Sequence, residues 1–297
     1  RKIVTSDLDS SGRAKKPTGR MRVIAITSGK GGVGKTNIVL NLCIGLSALG
    51  RRVFLLDADM GLANVDVLLG LTPRFTLEHV LNGQKEIAEI LLTGPGGFSI
   101  LPSGSGISEL SEMTFDQQMR LFQELSAIDA EIDYLFIDTG AGISSNVLRF
   151  NASANEILVV ANSEPTSITD AYALMKLLSI KYHIRDFGLI ANSVSSESDG
   201  RAVFETLNRV CGQFLKVNLA FVGWIPYDPA VRKAVRRQSP VVESFPASPA
   251  AKNLRRIASY LDKNRIPQSP SHPREEAPPP LERTANFWDR LLHWKRV

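Results

Sequence analysis

Apolar and polar positions along the chain alternate between two patterns. Short, nearly continuous apolar runs fall at residues 21–27, 52–56, 98–101, 134–137, 156–161 and 187–191, with another ending at Trp224. Runs of this length with few polar interruptions predict strands buried on both faces. Between them, helical spacing marks 38–49, 166–179 (Ala171, Leu174, Leu177 and Leu178 on one side), 230–237 and 250–261. From 76 to 92 a helical pattern of Leu77, Val80, Leu81, Ile87, Ile90 and Leu91 is broken by the turn signal Asn82-Gly83, which predicts two short helices. A further amphipathic stretch covers 115–125. Strands alternating with helices predict an α/β fold, a mostly parallel twisted sheet with helices on both faces.

Candidate chemistry begins at the first strand-helix junction. Residues 28–37 read SGKGGVGKTN, and Gly29, Gly34, Lys35 and Thr36 satisfy the P-loop spacing in the strand, loop, helix context that the motif requires. The glycines let successive backbone N–H groups, from Gly29 through Lys30, Gly31, Gly32 and Val33 to Asn37, point at phosphate oxygens at a helix N-terminus. Lys35 adds charge, and the Thr36 hydroxyl can ligate Mg2+. A nucleoside triphosphate site follows. Lys30 is a second loop lysine that an ordinary P-loop does not need.

Two carboxylate groups sit where such a site needs them. The run 52–56 ends at Asp57-Ala58-Asp59, and acids just past a strand next to the P-loop strand face the phosphates and metal. The run 134–137 ends at Asp138, the arrangement that holds Mg2+ directly or through water, and Gly140 and Gly142 allow the following loop to move.

The two ends differ from the middle. Residues 1–20 are polar, without apolar periodicity, and are expected to form a flexible arm; the chain starts at Arg1, so its natural beginning is expected to lie further upstream. The globular part is expected to span 21–265. Residues 266–280 hold six prolines in fifteen positions and predict a semi-rigid tether. In 281–297, Phe287, Trp288, Leu291, Leu292 and Trp294 share one side of a helical wheel while most charges take the other, the pattern of an interfacial membrane helix. A helix docked on the protein's own surface, or on a partner, has the same pattern. Net charge sharpens this: residues 231–297 carry +8 of the overall +5, leaving −3 on the remainder, so the C-terminal part suits an anionic surface. No run approaches the roughly 20 apolar residues of a spanning helix. The two cysteines, Cys43 and Cys211, are isolated, which argues against a disulfide framework or an iron–sulfur site and fits a reducing cytoplasm.

Taken together, KGGVGKT at 30–36, DADMGLANVDVLLG at 57–70, DTGAGIS at 138–144 and GWIPYDPAVRKAV at 223–235 resemble the MinD/ParA family of deviant Walker A ATPases, over about 21–261. TLEHVLNG at 76–83, GFSILPSGSGISEL at 97–110 and Asn37 are most similar to its flagellar FlhG/FleN branch. The resemblance implies ATP and Mg2+ as cofactors and an ATP-dependent homodimer in which Lys30 reaches the partner's nucleotide, like an arginine finger. It further implies that Asp59 orients the attacking water, that Asp57 supports the Mg2+ shell, and that Asn64 and Asp66 line the first switch. Residues 138–144 would form the second switch, with Asn192, Pro226 and Asp228 at the base. The expected location is cytoplasmic, peripheral on the inner face of the cell membrane. The expected partner is a polar SRP-type GTPase or a transcription activator of flagellar genes, with no specific nucleic acid. Flagellar relatives often carry a GTPase-activating motif, DQAxxLR, in the N-terminal arm; the arm lacks it, and the loosely similar DQQMRL at 116–121 reads as a surface helix. A ParA-type DNA segregation ATPase is the alternative, with Arg232, Lys233, Arg236 and Arg237 as its basic surface.

Overall fold

A computed structural model describes residues 21–59, 64–102, 114, 117, 120, 121, 123–125, 132–266 and 287–292, with the backbone alone at 64, 66, 289 and 292. The expected N-terminal arm, the loop at 103–106 and the proline tether from 267 onwards lie outside the described residues, as do Trp294 and most of 115–120.

One eight-stranded sheet organises the chain, in the order β3-β4-β2-β5-β1-β6-β7-β8. Its strands are β1 (Arg22–Ser28), β2 (Val53–Ala58), β3 (Leu92–Thr93), β4 (Ser99–Leu101), β5 (Tyr134–Ala141), β6 (Glu156–Ala161), β7 (Asp186–Val194) and β8 (Asn218–Pro226). Every neighbouring pair is parallel except β3 with β4. The short β3 was not visible in the apolar pattern, because two edge residues leave no periodicity to read.

Helices follow the strands as α1 (Lys35–Ser47), α2 (Asn64–Leu69), α3 (Leu77–Leu81), α4 (Ile87–Ile90), α5 (Ser145–Ser153), α6 (Pro165–Tyr182), α7 (Glu197–Leu215), α8 (Pro229–Arg236), α9 (Val241–Ser244), α10 (Pro249–Lys263) and α11 (Phe287–Leu292). The two short helices expected on either side of Asn82-Gly83 are α3 and α4. Burial explains the unbroken strand runs. Ile24 and Ile26 of β1 face α1 and α10, while Val23 and Ala25 face the other layer, with Phe150 of α5 and Trp288 of α11. Period-2 alternation with both faces apolar is what a doubly covered sheet needs.

At the amino ends of the strands, a buried polar network fastens the chain where the tether begins. Arg22 donates to both oxygens of Glu156 at 2.8 Å, and the Ile266 N–H donates to Glu156 Oε2 at 2.9 Å. Asp262 accepts from Arg51 at 2.7 Å and from the Tyr134 hydroxyl at 3.1 Å. Ile266 is buried as well.

Candidate functional site

The carboxyl ends of β1, β2 and β5 bring the sequence-expected residues together. After β1 the chain turns through Gly29–Gly34 into α1, with Gly32 at φ 78° and Gly34 at φ 95°, backbone that side chains rarely adopt. Gly29 is required for a second reason: a Cβ there would overlap the Asp170 backbone of α6, so the loop presses directly on that helix. The loop is tied to its surroundings by Ser28 Oγ donating to the Lys30 carbonyl at 2.7 Å and by the Gly142 N–H donating to the Ser28 carbonyl at 2.9 Å. The Asn37 carbonyl and side-chain oxygen both accept from Asn41 Nδ2, at 2.6 and 3.2 Å.

Asp57 and Asp138 are register partners on β2 and β5, side by side at the end of the sheet. They are held differently. Asp57 accepts the backbone N–H of Asp59 at 3.2 Å and of Val65 at 3.4 Å, so it ties Asp59 to the first turn of α2. Asp138 is fully buried, and among the described residues neither of its oxygens has a hydrogen bond of good geometry, although the Thr36 hydroxyl lies close enough to favour its charged form. Burial therefore lifts its carboxyl from 3.8 to about 7; the Thr36 hydroxyl and Lys35 nearby pull it down, and Asp59 pushes it up. Lys35, also buried, is lowered by the loss of water against the pull of Asp138 and Asp59. Asp59 approaches the second loop closely: a Cβ on Gly140 would lie 3.2 Å from its Oδ1. The side chains of Asn64 and Asp66 lie outside the described residues.

An orphaned carboxylate beside a threonine hydroxyl and a buried lysine fits a divalent cation. A metal would take the place of the proton that burial otherwise keeps on Asp138. Asp138 and Thr36 are the groups that would hold it, and its chemistry there would be neutralisation of phosphate charge.

Lys30 is engaged by residues outside its own P-loop. Its ammonium donates to Glu164 Oε2 at 2.7 Å and to Thr166 Oγ1 at 3.1 Å, a solvent-exposed pairing at the start of α6. The segment SEPTS at 163–167 gave no sequence signal for this contact. At the far side, Asn192 Nδ2 donates to the Val33 carbonyl at 2.7 Å, and the side chain fills space that a Cβ on Gly34 would occupy. Pro226 ends β8. Asp228 caps two helices at once, Oδ1 accepting from Ala230 at 2.9 Å and Oδ2 from Ala250 at 3.1 Å.

Comparison with known proteins accords with this geometry. A family model described as an AAA domain matches residues 21–186. The antiactivator FleN of Pseudomonas aeruginosa is 48% identical over 250 residues, covering 84% of this chain and 89% of that protein. The chain belongs to the MinD/ParA family of P-loop ATPases. The flagellum site-determining protein YlxH of Helicobacter pylori is 33% identical over 82% of each chain. Among solved structures, Pyrococcus horikoshii MinD complexed with Mg-ADP superposes with a TM-score of 0.65 at 26% identity, over 82% of this chain and 96% of that one. A chain of the MinC:MinD cell division protein complex of Aquifex aeolicus gives 0.64 at 29% identity, over 84% and 100%. Membership makes ATP the nucleotide and Mg2+ the metal.

The tail departs from the plainest expectation. Phe287, Trp288 and Leu291, expected on a membrane-facing side, are at most 3% exposed and pack among Leu121, Leu125 and Phe150. Arg149 of α5 donates through two nitrogens to the Leu291 carbonyl, at 2.9 Å from Nε, and Arg290 Nε donates to the Ser153 carbonyl at 3.0 Å. Arg149 is buried, and desolvation lowers its pKa. Among the described residues the buried indole N–H of Trp288 has no hydrogen-bond partner. An amphipathic wheel could not distinguish these surroundings from lipid, because both reward the same face. The side chain of Leu292 is outside the described residues. Among those residues, no helix is long and apolar enough to cross a membrane.

Proposed function

We propose that this chain is a flagellar MinD-like ATPase whose nucleotide state decides whether its tail helix lies on α5 or on a membrane. In this reading ATP brings two monomers face to face. Lys30 leaves Glu164 and reaches the partner's nucleotide, Asp59 orients the attacking water, and Asp138 with Thr36 and Asp57 holds the metal and its shell. The P-loop from Gly29 to Asn37 holds the phosphates, with Asn192, Pro226 and Asp228 on the base side. Hydrolysis separates the dimer and returns the tail. Two tails in one dimer bind lipid far better than one short amphipathic helix.

The observation that carries this reading is where the tail docks. Helix α5 begins at the N-cap Ser144, directly after the loop that leads from Asp138. A shift of that loop on nucleotide binding would move Arg149 and its grip on Leu291. The docked state is also poised to lose to a membrane. Full burial of each large apolar side chain is worth about 1.5–3 kcal/mol in either place, so that gain largely cancels. The unpaired Trp288 N–H costs about 1–3 kcal/mol in the groove. At an interface the indole reaches water or headgroups, which relieves that cost.

Similarity to FleN and YlxH supports a role in controlling flagellar number or position, with a transcription activator or a polar GTPase as the partner that reads the ATP state. Flotation with anionic liposomes tests the switch: the full chain with ATP should float, while the full chain with ADP and a chain ending at Ile266 should not. Equal behaviour of all three would rule it out.

A further inference from the structure

Helix α2 starts five residues beyond Asp59 in the chain and is only six residues long. Its first turn is tied to Asp57 through the Val65 N–H. Leu68 and Leu69 pack on the core, but Val67 is 66% exposed, so packing does not hold that residue in place. What meets it is Gln238, just beyond α8, whose Nε2 donates to the Val67 carbonyl at 2.8 Å.

The contact is built from both sides. Gln238 lies at φ 50°, a left-handed conformation unfavourable for a residue with a side chain, and its own N–H donates to the Val235 carbonyl at 3.0 Å. Opposite it, Gly70 lies at φ 62°, and a Cβ there would come within 3.0 Å of Gln238 Oε1. Glycine at 70 thus leaves room for the amide of 238. Helix α8 begins at Asp228, which also caps α10, so it is fixed to the base-side end of the sheet.

We infer that Gln238 is a positioning residue for ATP hydrolysis: its hydrogen bond to Val67 couples α2, and through the Asp57 carboxylate that accepts from both the Val65 and the Asp59 N–H also Asp59, to the helix that starts at Asp228. In this role Gln238 acts through the backbone of α2. The inference rests on the reading of Asp59 as the residue that orients the attacking water.

Three substitutions test it in the full chain with Mg-ATP. Gln238→Glu keeps the shape but offers an acceptor to the Val67 carbonyl, Gln238→Ala removes the group, and Gln238→Arg supplies a donor again. The Glu and Ala variants should lose about three- to tenfold in kcat, the scale of one exposed hydrogen bond, with KM within about twofold. Their Tm should stay within about 2 °C of the parent, because the contact is solvent-exposed. Amide exchange over 64–69 should quicken in both, and Gln238→Arg should recover most of kcat. Parental kcat in the Glu variant, or an Arg variant as slow as the Ala one, overturns the inference. Asp59→Ala serves as the separate control. If it still hydrolyses ATP, the Asp59 reading itself fails; if it is inactive while the Gln238 variants match the parent, only the coupling fails.

Discussion

Replacing Asp138 by Asn should change how stability depends on pH. In the nucleotide-free protein burial lifts the Asp138 carboxyl from an ordinary 3.8 to about 7, against the downward pull of the Thr36 hydroxyl and Lys35. Between those two values the folded chain holds a proton that the unfolded chain has already lost. Stability attached to this group is therefore complete below pH 3.8 and falls as pH rises to about 7. Three units at 1.36 kcal/mol each come to about 4 kcal/mol, of which about 3 kcal/mol is lost between pH 5 and pH 8. The carboxamide of the Asp138→Asn variant has no such proton to lose. Urea denaturation with chelator present, followed from pH 5 to pH 8.5, should show Asp138→Asn gaining about 3 kcal/mol on the parent across that range. Mg2+ competes with the same proton, so Mg-nucleotide affinity of the parent should rise over pH 6–8 while that of the variant stays level. Parallel stability curves for the two proteins would refute the idea that burial keeps this carboxylate protonated until metal arrives.

Other outcomes follow from the same geometry. Arg149→Ala should raise liposome binding in the ADP state about tenfold or more, since hydrogen bonds from a charged donor are worth about 1.5–3 kcal/mol; unchanged flotation would show that Arg149 does not hold the tail. Lys30→Ala should bind ATP within about twofold of the parent yet lose the rise in specific activity with protein concentration that dimerisation gives. Glu156→Gln leaves the Arg22 guanidinium buried without its counter-charge and should cost about 3–5 kcal/mol in urea denaturation. Gly29→Ala places a methyl against the Asp170 backbone, and isothermal titration should show ATP affinity reduced at least about tenfold.

Legibility of this molecule followed the length scale of the physics. Strand positions could be read because both sheet faces are covered, which turns β1, β5 and β6 into apolar runs. The P-loop could be read because phosphate binding demands glycines, a lysine and a threonine at fixed spacing. Asp138 was placed by its strand, but its orphaned state is a property of burial that no local pattern carries. Long-range contacts were silent for the same reason: Lys30 with Glu164, Arg149 with Leu291 and Gln238 with Val67 join segments separated by more than a hundred residues. The tail is the sharpest case. Its wheel correctly marks Phe287, Trp288 and Leu291 as one buried face, yet hydrophobic burial is non-directional, so the pattern names a face and leaves its partner open.

The most direct test of tail release needs no membrane. Amide exchange over residues 287–292 can be followed in Asp59→Ala, which is expected to hold ATP without hydrolysing it, with Mg-ATP and with Mg-ADP in turn. Protection with ADP and rapid exchange with ATP is the expected result. Equal protection in the two states would contradict a nucleotide-controlled tail.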